Sequence, residues 1–132
     1  MEEGKLLAAS LPTVAALAYL GDAVHSLDIR RRAVALGLAK SGRLHEFSAR
    51  IVNAASQAAI LAALTPCLSE EERDLCRRAA NSKHLQRPKH ASDADYRQAT
   101  AFEALLGMHA YLGNDDRLRE LLDASYQCLK GD

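Results

Sequence analysis

The sequence predicts an all-α fold, on three observations. Only three prolines and seven glycines interrupt its 132 residues, alanine recurs throughout and tryptophan is absent, a mixture that favours helix over strand. No segment sustains the period-two alternation of a half-buried strand. Apolar residues return instead at helical spacing, and start and stop residues divide these runs into about five helices.

The elements follow in order. Pro12 suits a first-turn position, and the pattern Leu17, Leu20, Val24, Leu27 runs on until Gly37 offers a stop. A second pattern starts near Leu44, with Phe47, Ile51 and Val52 on one side, and Ser56 is the expected restart of a helix ending before Pro66. Ser69-Glu70-Glu71-Glu72 matches a capping box, with a hydroxyl at the cap and acidic residues in the turn that the helix dipole favours. That helix should reach Ala80. Asn81 to Ser92, with Pro88 and many polar residues, reads as the longest irregular segment. Helix returns near Asp93, passes through Phe102, Leu105, Leu106 and His109, and stops at Gly113-Asn114. Asn114 is the expected cap of a last helix whose apolar face holds Leu118, Leu121, Leu122 and Leu129.

Composition places these helices in one domain spanning 1–132. Apolar residues make up 48% and charged residues 26%, and a chain of this length buries a core without disulfides or a structural metal. Cys67, Cys76 and Cys128 are odd in number and lack Cys-x-x-Cys spacing, which fits reduced thiols in a cytoplasmic protein and argues against zinc. No apolar run is long enough to span a membrane, and the opening residues carry no signal-peptide pattern. Seventeen basic side chains balance seventeen acidic ones, which excludes a uniformly basic protein. The zero is a sum over unlike regions, however. Arg30, Arg31, Arg32, Lys40, Arg43 and Arg50 face only Glu46 between positions 30 and 50, whereas acidic residues predominate from Glu103 onward.

Two carboxylates lack the partners expected of helical acids. Asp22 has Ala18, Tyr19, His25 and Ser26 within helical reach, and Glu103 has Ala99, Thr100, Leu106 and Gly107; none is basic. A carboxylate drawn into an apolar run needs a cation, a donor or held water, and a divalent metal shared between the two would serve both. Gly21 and Gly107 would let two helix backbones approach and bring the carboxylates together. Periodicity alone leaves a second reading open, in which each acid lies on the exposed stripe of an amphipathic helix.

The same segments carry a family resemblance. Tyr19-Leu20-Gly21-Asp22-Ala23-Val24 resembles the ribonuclease III signature Glu-Phe-Leu-Gly-Asp-Ala-Val, and Thr100-Ala101-Phe102-Glu103-Ala104-Leu105-Leu106-Gly107 resembles its second acidic motif, Asp-Ala-Phe-Glu-Ala-Leu-Ile-Gly. Further similar stretches are Leu44-His45 with Ser48 and Arg50-Ile51-Val52, Ala54 through Ser56-Gln57, Arg78 with Asn81 and Lys83, and Pro88-Lys89 ahead of Tyr96-Arg97. They point to the Mini-ribonuclease III branch, bacterial enzymes with the catalytic domain only. Where larger relatives have a glutamate four residues before the motif aspartate this chain has Ala18, and where they have an aspartate three residues before the second glutamate it has Thr100.

The resemblance implies the helical bundle of a ribonuclease III catalytic domain without a double-stranded-RNA-binding domain. It implies a metal-dependent endoribonuclease that cuts double-stranded RNA to 5'-phosphate and 3'-hydroxyl ends, with maturation of precursor 23S ribosomal RNA as the expected role. Asp22 and Glu103 would be the catalytic metal ligands for Mg2+, with Mn2+ as a possible substitute, and Thr100 a candidate for a water-mediated contact. The family acts as a homodimer, and the segment around Tyr19 resembles the one that packs across it. By charge alone Arg78, Lys83, Arg87 and Lys89 read as a solvated loop; the resemblance makes them a basic surface for RNA phosphates instead. Arg30, Arg31 and Arg32 point in different directions on a helix, so at most one or two would join that surface. His25, His45 and His109 read as packed or hydrogen-bonded side chains outside the site. Two alternatives stand beside the nuclease: a catalytically inactive duplex-RNA-binding relative, and a helical dimerisation module.

Overall fold

The computed structural model describes residues 10–82 and 91–130. Among them are six α-helices: α1 (Val14–Ala35), α2 (Ser41–Ile51), α3 (Ala54–Leu64), α4 (Glu70–Ala80), α5 (Asp93–Leu112) and α6 (Asp115–Lys130), with a 3-10 turn at Thr65–Cys67. No strand is present among the described residues, so the predicted all-α class holds. The six helices among the described residues correspond to the runs read from the pattern, one more than the approximate count of five, and Asn53 separates α2 from α3. Its amide donates to the carbonyls of Ala49 and Arg50, closing one helix, while its oxygen accepts from Ser56 N at 2.9 Å, opening the next. The restart therefore falls at Asn53 rather than Ser56.

Other boundaries follow local chemistry. Thr13 caps α1, so Pro12 stands before the cap instead of in the first turn. Beyond α1, Gly37 adopts φ +89°, a left-handed conformation that suits the end of a helix. Ser69 and Glu72 form the predicted reciprocal capping box. Ser92 caps α5. The carbonyl of Asn114 accepts from Leu118, while its side-chain amide turns to His109 Nδ1 at 3.1 Å.

The centre of the bundle is α5, which packs against α1, α3, α4 and α6. Phe102, Leu105 and Leu106 are completely buried among Leu17, Ile60, Leu75, Leu121 and Leu122. Leu118 joins this face in part, whereas Leu129, expected on it, is 37% exposed. Two glycines set the α1–α5 separation. A Cβ at Gly21 would overlap the backbone carbonyl of Glu103, and a Cβ at Gly107 would overlap that of Leu17. The helices touch backbone to backbone, as only glycine permits.

Ion pairs fasten α6 to this centre. Arg117 grips buried Glu72 in a bidentate pair at 2.7 and 2.8 Å, and His109 Nε2 donates to the same carboxylate at 2.7 Å. Burial opposes ionisation of Glu72, but Arg117, the Ser69 amide and His109 outweigh it and hold its pKa down to about 2. In a second cluster, buried Asp28 pairs with Arg32 and Arg119, and both arginines reach Asp123. Arg32 also lies over the Tyr126 ring. Of the three consecutive arginines, Arg32 is thus a structural clamp, and Arg30 and Arg31 are left exposed. The three thiols are free, and burial pushes Cys76 up to about 12.

Candidate active site

The Gly21–Gly107 contact places Asp22 beside Glu103. Because the backbone at Gly21 rests on Glu103, the next residue of α1 comes within hydrogen-bond reach of the Glu103 side chain, with Asp22 exposed and Glu103 half-buried. The expected desolvation therefore falls on Glu103 rather than on Asp22. Among the described residues neither carboxylate forms an ion pair, although eleven other acid–base contacts hold the fold. Burial, a hydrogen bond with Asp22 and the Asp22 charge together push Glu103 up to about 8; a hydrogen bond from Gln57 acts the other way. Two carboxyl groups sharing a site without a cation behave in this manner.

The third member of the site was not singled out from the sequence. Gln57, on the first turns of α3, is 4% exposed and directs Nε2 to Glu103 Oε2 at 3.3 Å and to His25 Nδ1 at 3.0 Å. His25 is buried edge-on against Phe102, with ring centroids 5.0 Å apart. Burial lowers its pKa to about 4, so the ring is neutral and Nδ1 accepts the amide proton. A signal existed: Gln57 is the one long polar side chain in the run Ala54–Leu64, the same oddity that marks Asp22 and Glu103. His25 is packed and hydrogen-bonded, as read from the pattern, yet stands one residue from Glu103 through Gln57. His109 likewise belongs to the Glu72 clamp, and His45 is exposed.

The residues fit one class of metal and not another. Among the described residues no cluster of three or more His, Cys, Asp and Glu forms, which leaves no tetrahedral zinc set. An exposed carboxylate beside a half-buried one suits a hard cation that keeps several water ligands and takes others from a phosphate. Thr100 is 5% exposed and donates its hydroxyl to the Tyr96 carbonyl at 2.9 Å, the ordinary back-bond of a helical threonine.

Arg78 is exposed on α4 and pairs with Asp74 at 3.3 Å; Lys83, Arg87 and Lys89 lie outside the described residues. Arg97, near the start of α5, donates to the carbonyls of Ala80 and Ser82 and pairs with Asp93, joining the end of α4 to α5 where the basic segment leaves. Tyr19 is 84% exposed on α1.

A family model for the ribonuclease III domain matches residues 15–114, which includes both carboxylates, both glycines and Gln57. The chain belongs to the ribonuclease III family. Within it, Mini-ribonuclease 3 of Brevibacillus brevis is 40% identical over 116 residues, covering 88% of this chain and 87% of the relative. Mini-ribonuclease 3 of Symbiobacterium thermophilum is 43% identical over 109 residues, 83% and 84% of the two chains. A solved structure of a Fusobacterium nucleatum protein superposes with a TM-score of 0.78 at 28% identity, covering 87% of this chain and 92% of that one. These relatives place the chain in the Mini-ribonuclease 3 branch, and the fold is that of a ribonuclease III domain. By class, members are endoribonucleases of double-stranded RNA that use a divalent metal.

Proposed function

We propose that the chain is a Mg2+-dependent endoribonuclease that cleaves both strands of duplex RNA, leaving 5'-phosphate and 3'-hydroxyl ends, and that precursor 23S ribosomal RNA in the bacterial cytoplasm is its substrate. The observation that carries this reading is the uncompensated Asp22–Glu103 pair, which the Gly21–Gly107 contact holds together. Asp22 and Glu103 would hold Mg2+, or Mn2+ in its place. Bound there, the ion supplies Lewis-acid polarisation of the scissile phosphate and neutralises charge on the reacting oxygens. Asp22, on the open side, keeps contact with water, whereas Glu103 is oriented from behind by Gln57. No side-chain nucleophile is needed.

Two surfaces complete the reading. The exposed apolar residues Tyr19, Leu27 and Val34, at 84%, 55% and 65% exposure, share one helix with Asp22; they support a homodimer that presents one site to each strand. Arg78, with Lys83, Arg87 and Lys89 of the following segment, supports a grip on phosphates that does not depend on sequence. The test is cleavage of a duplex RNA with and without Mg2+, with the ends mapped and Asp22→Asn as control. Binding without cutting by the wild-type protein would establish the inactive relative instead. The absence of any salt-sensitive affinity for duplex RNA would favour the dimerisation module.

A further inference from the structure

Glu103 needs more than a neighbour; it needs a fixed orientation, and the structure supplies one from α3. The start of that helix is locked. Asn53 bonds to Ala49, Arg50 and Ser56, the Ser56 hydroxyl donates to the Arg50 carbonyl at 2.9 Å, and Gln57 N donates to the Asn53 carbonyl at 2.9 Å. Gln57 leaves this rigid turn with its amide almost wholly buried. An amide placed there unpaired would be costly, and its nitrogen meets two acceptors, His25 Nδ1 and Glu103 Oε2.

We propose that Gln57 is a positioning residue for Glu103. One amide proton is committed to His25 and the other to Glu103, so the carboxylate is held in the orientation that receives a divalent cation, and His25 in turn fixes the amide. This inference rests on the metal-dependent reading above.

The residue type supports it. A lysine or arginine at position 57 would neutralise the carboxylate pair and compete with the metal. A neutral donor orients Glu103 while leaving the negative charge of the site for the cation. Partners of this kind behind a metal ligand typically contribute about 10–100-fold in metal affinity or activity.

The test uses Gln57→Leu, which keeps an apolar branch of similar reach and removes both donated bonds. Mn2+ binding to the RNA-free protein, followed by calorimetry, should weaken about tenfold. In duplex-RNA cleavage the Mg2+ activation midpoint should rise by a similar factor, with a larger loss of rate at limiting than at saturating Mg2+. A purely structural glutamine would lower the melting temperature and leave metal affinity per folded molecule unchanged, and that result would overturn the proposal. A second measurement needs no variant. In the wild-type protein the side-chain amide of Gln57 should show two separate proton resonances that move on addition of Mg2+; resonances that stay in place would also overturn it. The arms separate the two claims. Wild-type protein that binds no Mn2+ removes the site itself, whereas wild-type binding abolished by Asp22→Asn and untouched by Gln57→Leu removes only the role of Gln57.

Discussion

Glu72 on α4 and Glu103 on α5 are both drawn out of water, and their surroundings push them in opposite directions. Glu72 meets a bidentate arginine, a histidine donor and a backbone amide, and is held at about 2. Glu103 meets burial, a second carboxyl group and a neutral amide, and rises to about 8. The first arrangement is closed: every lone pair of the carboxylate is turned to a protein donor, so it ties elements together and has nothing left to offer. The second is open. It is a site at which the fold withholds the cation that it provides elsewhere, and that vacancy of charge is what a divalent metal would meet.

The comparison can be broken most forcefully at its closed end. Arg117→Ala leaves buried Glu72 with only His109 and the Ser69 amide, and is expected to destabilise the protein by up to about 3–5 kcal/mol; urea unfolding measures it, while cleavage per folded molecule should hardly change. At the open end, Glu103→Gln removes one of two ligands. Activity on duplex RNA should fall by more than about 100-fold, since even partners one shell further out contribute up to that much. Melting in the absence of metal should stay level or rise, because the repulsion from Asp22 disappears. A stability loss as large as that of Arg117→Ala would show that Glu103 is structural after all. Gly21→Ala attacks the scaffold between them. Its Cβ would meet the Glu103 backbone, and overpacking of this kind costs about 1–3 kcal/mol; it should separate Asp22 from Glu103, reducing activity beyond the stability loss and sparing the Glu72 clamp.

The finest distinction lies in pH. Glu72 falls from its usual 4.5 to about 2 on folding, so its contribution is fully present above pH 4.5 and is lost as pH drops toward 2. His109, lowered by burial, deepens the same acid limb, because below its usual 6.5 the unfolded chain takes up a proton that the folded one resists. Glu103 acts oppositely. Raised from 4.5 to about 8 in the metal-free protein, it binds a proton more tightly folded than unfolded, so its contribution is fully present below pH 4.5 and declines as pH rises from there, being lost by about 8. Glu103→Gln or added Mg2+ should flatten that decline and leave the Glu72 loss below pH 4.5 unchanged, as followed by thermal melting across pH.

Much of the fold was legible. The stops at Gly37 and Gly113, the Ser69–Glu72 capping box and the end of α4 at Ala80 depend on residues within a turn of one another, and the structure repeats them. The Asn53 boundary was missed because serine and asparagine both cap, and only geometry selects between them. Leu129 was misplaced because α6 ends near the edge of the bundle, where periodicity outlasts the core it points to.

The two acidic motifs were legible through the absence of a base within helical reach. Yet that criterion does not separate the two glutamates compared above. Glu72 has Leu68, Ser69, Leu75 and Cys76 at those positions, also without a base, and its cation, Arg117, comes from 45 residues away. Gln57 lies 46 residues before Glu103, and His25 another 32 before Gln57.

By itself the sequence determined the helices, their caps and the identity of the chemical groups available, because those depend on neighbours along the chain. Which carboxylate receives an arginine and which is left facing its like was decided only when α1, α3 and α6 packed around α5. Electrostatic environment is set by distance in space, and two glycines, small enough to bring α1 against α5, are what convert two isolated acids into one site.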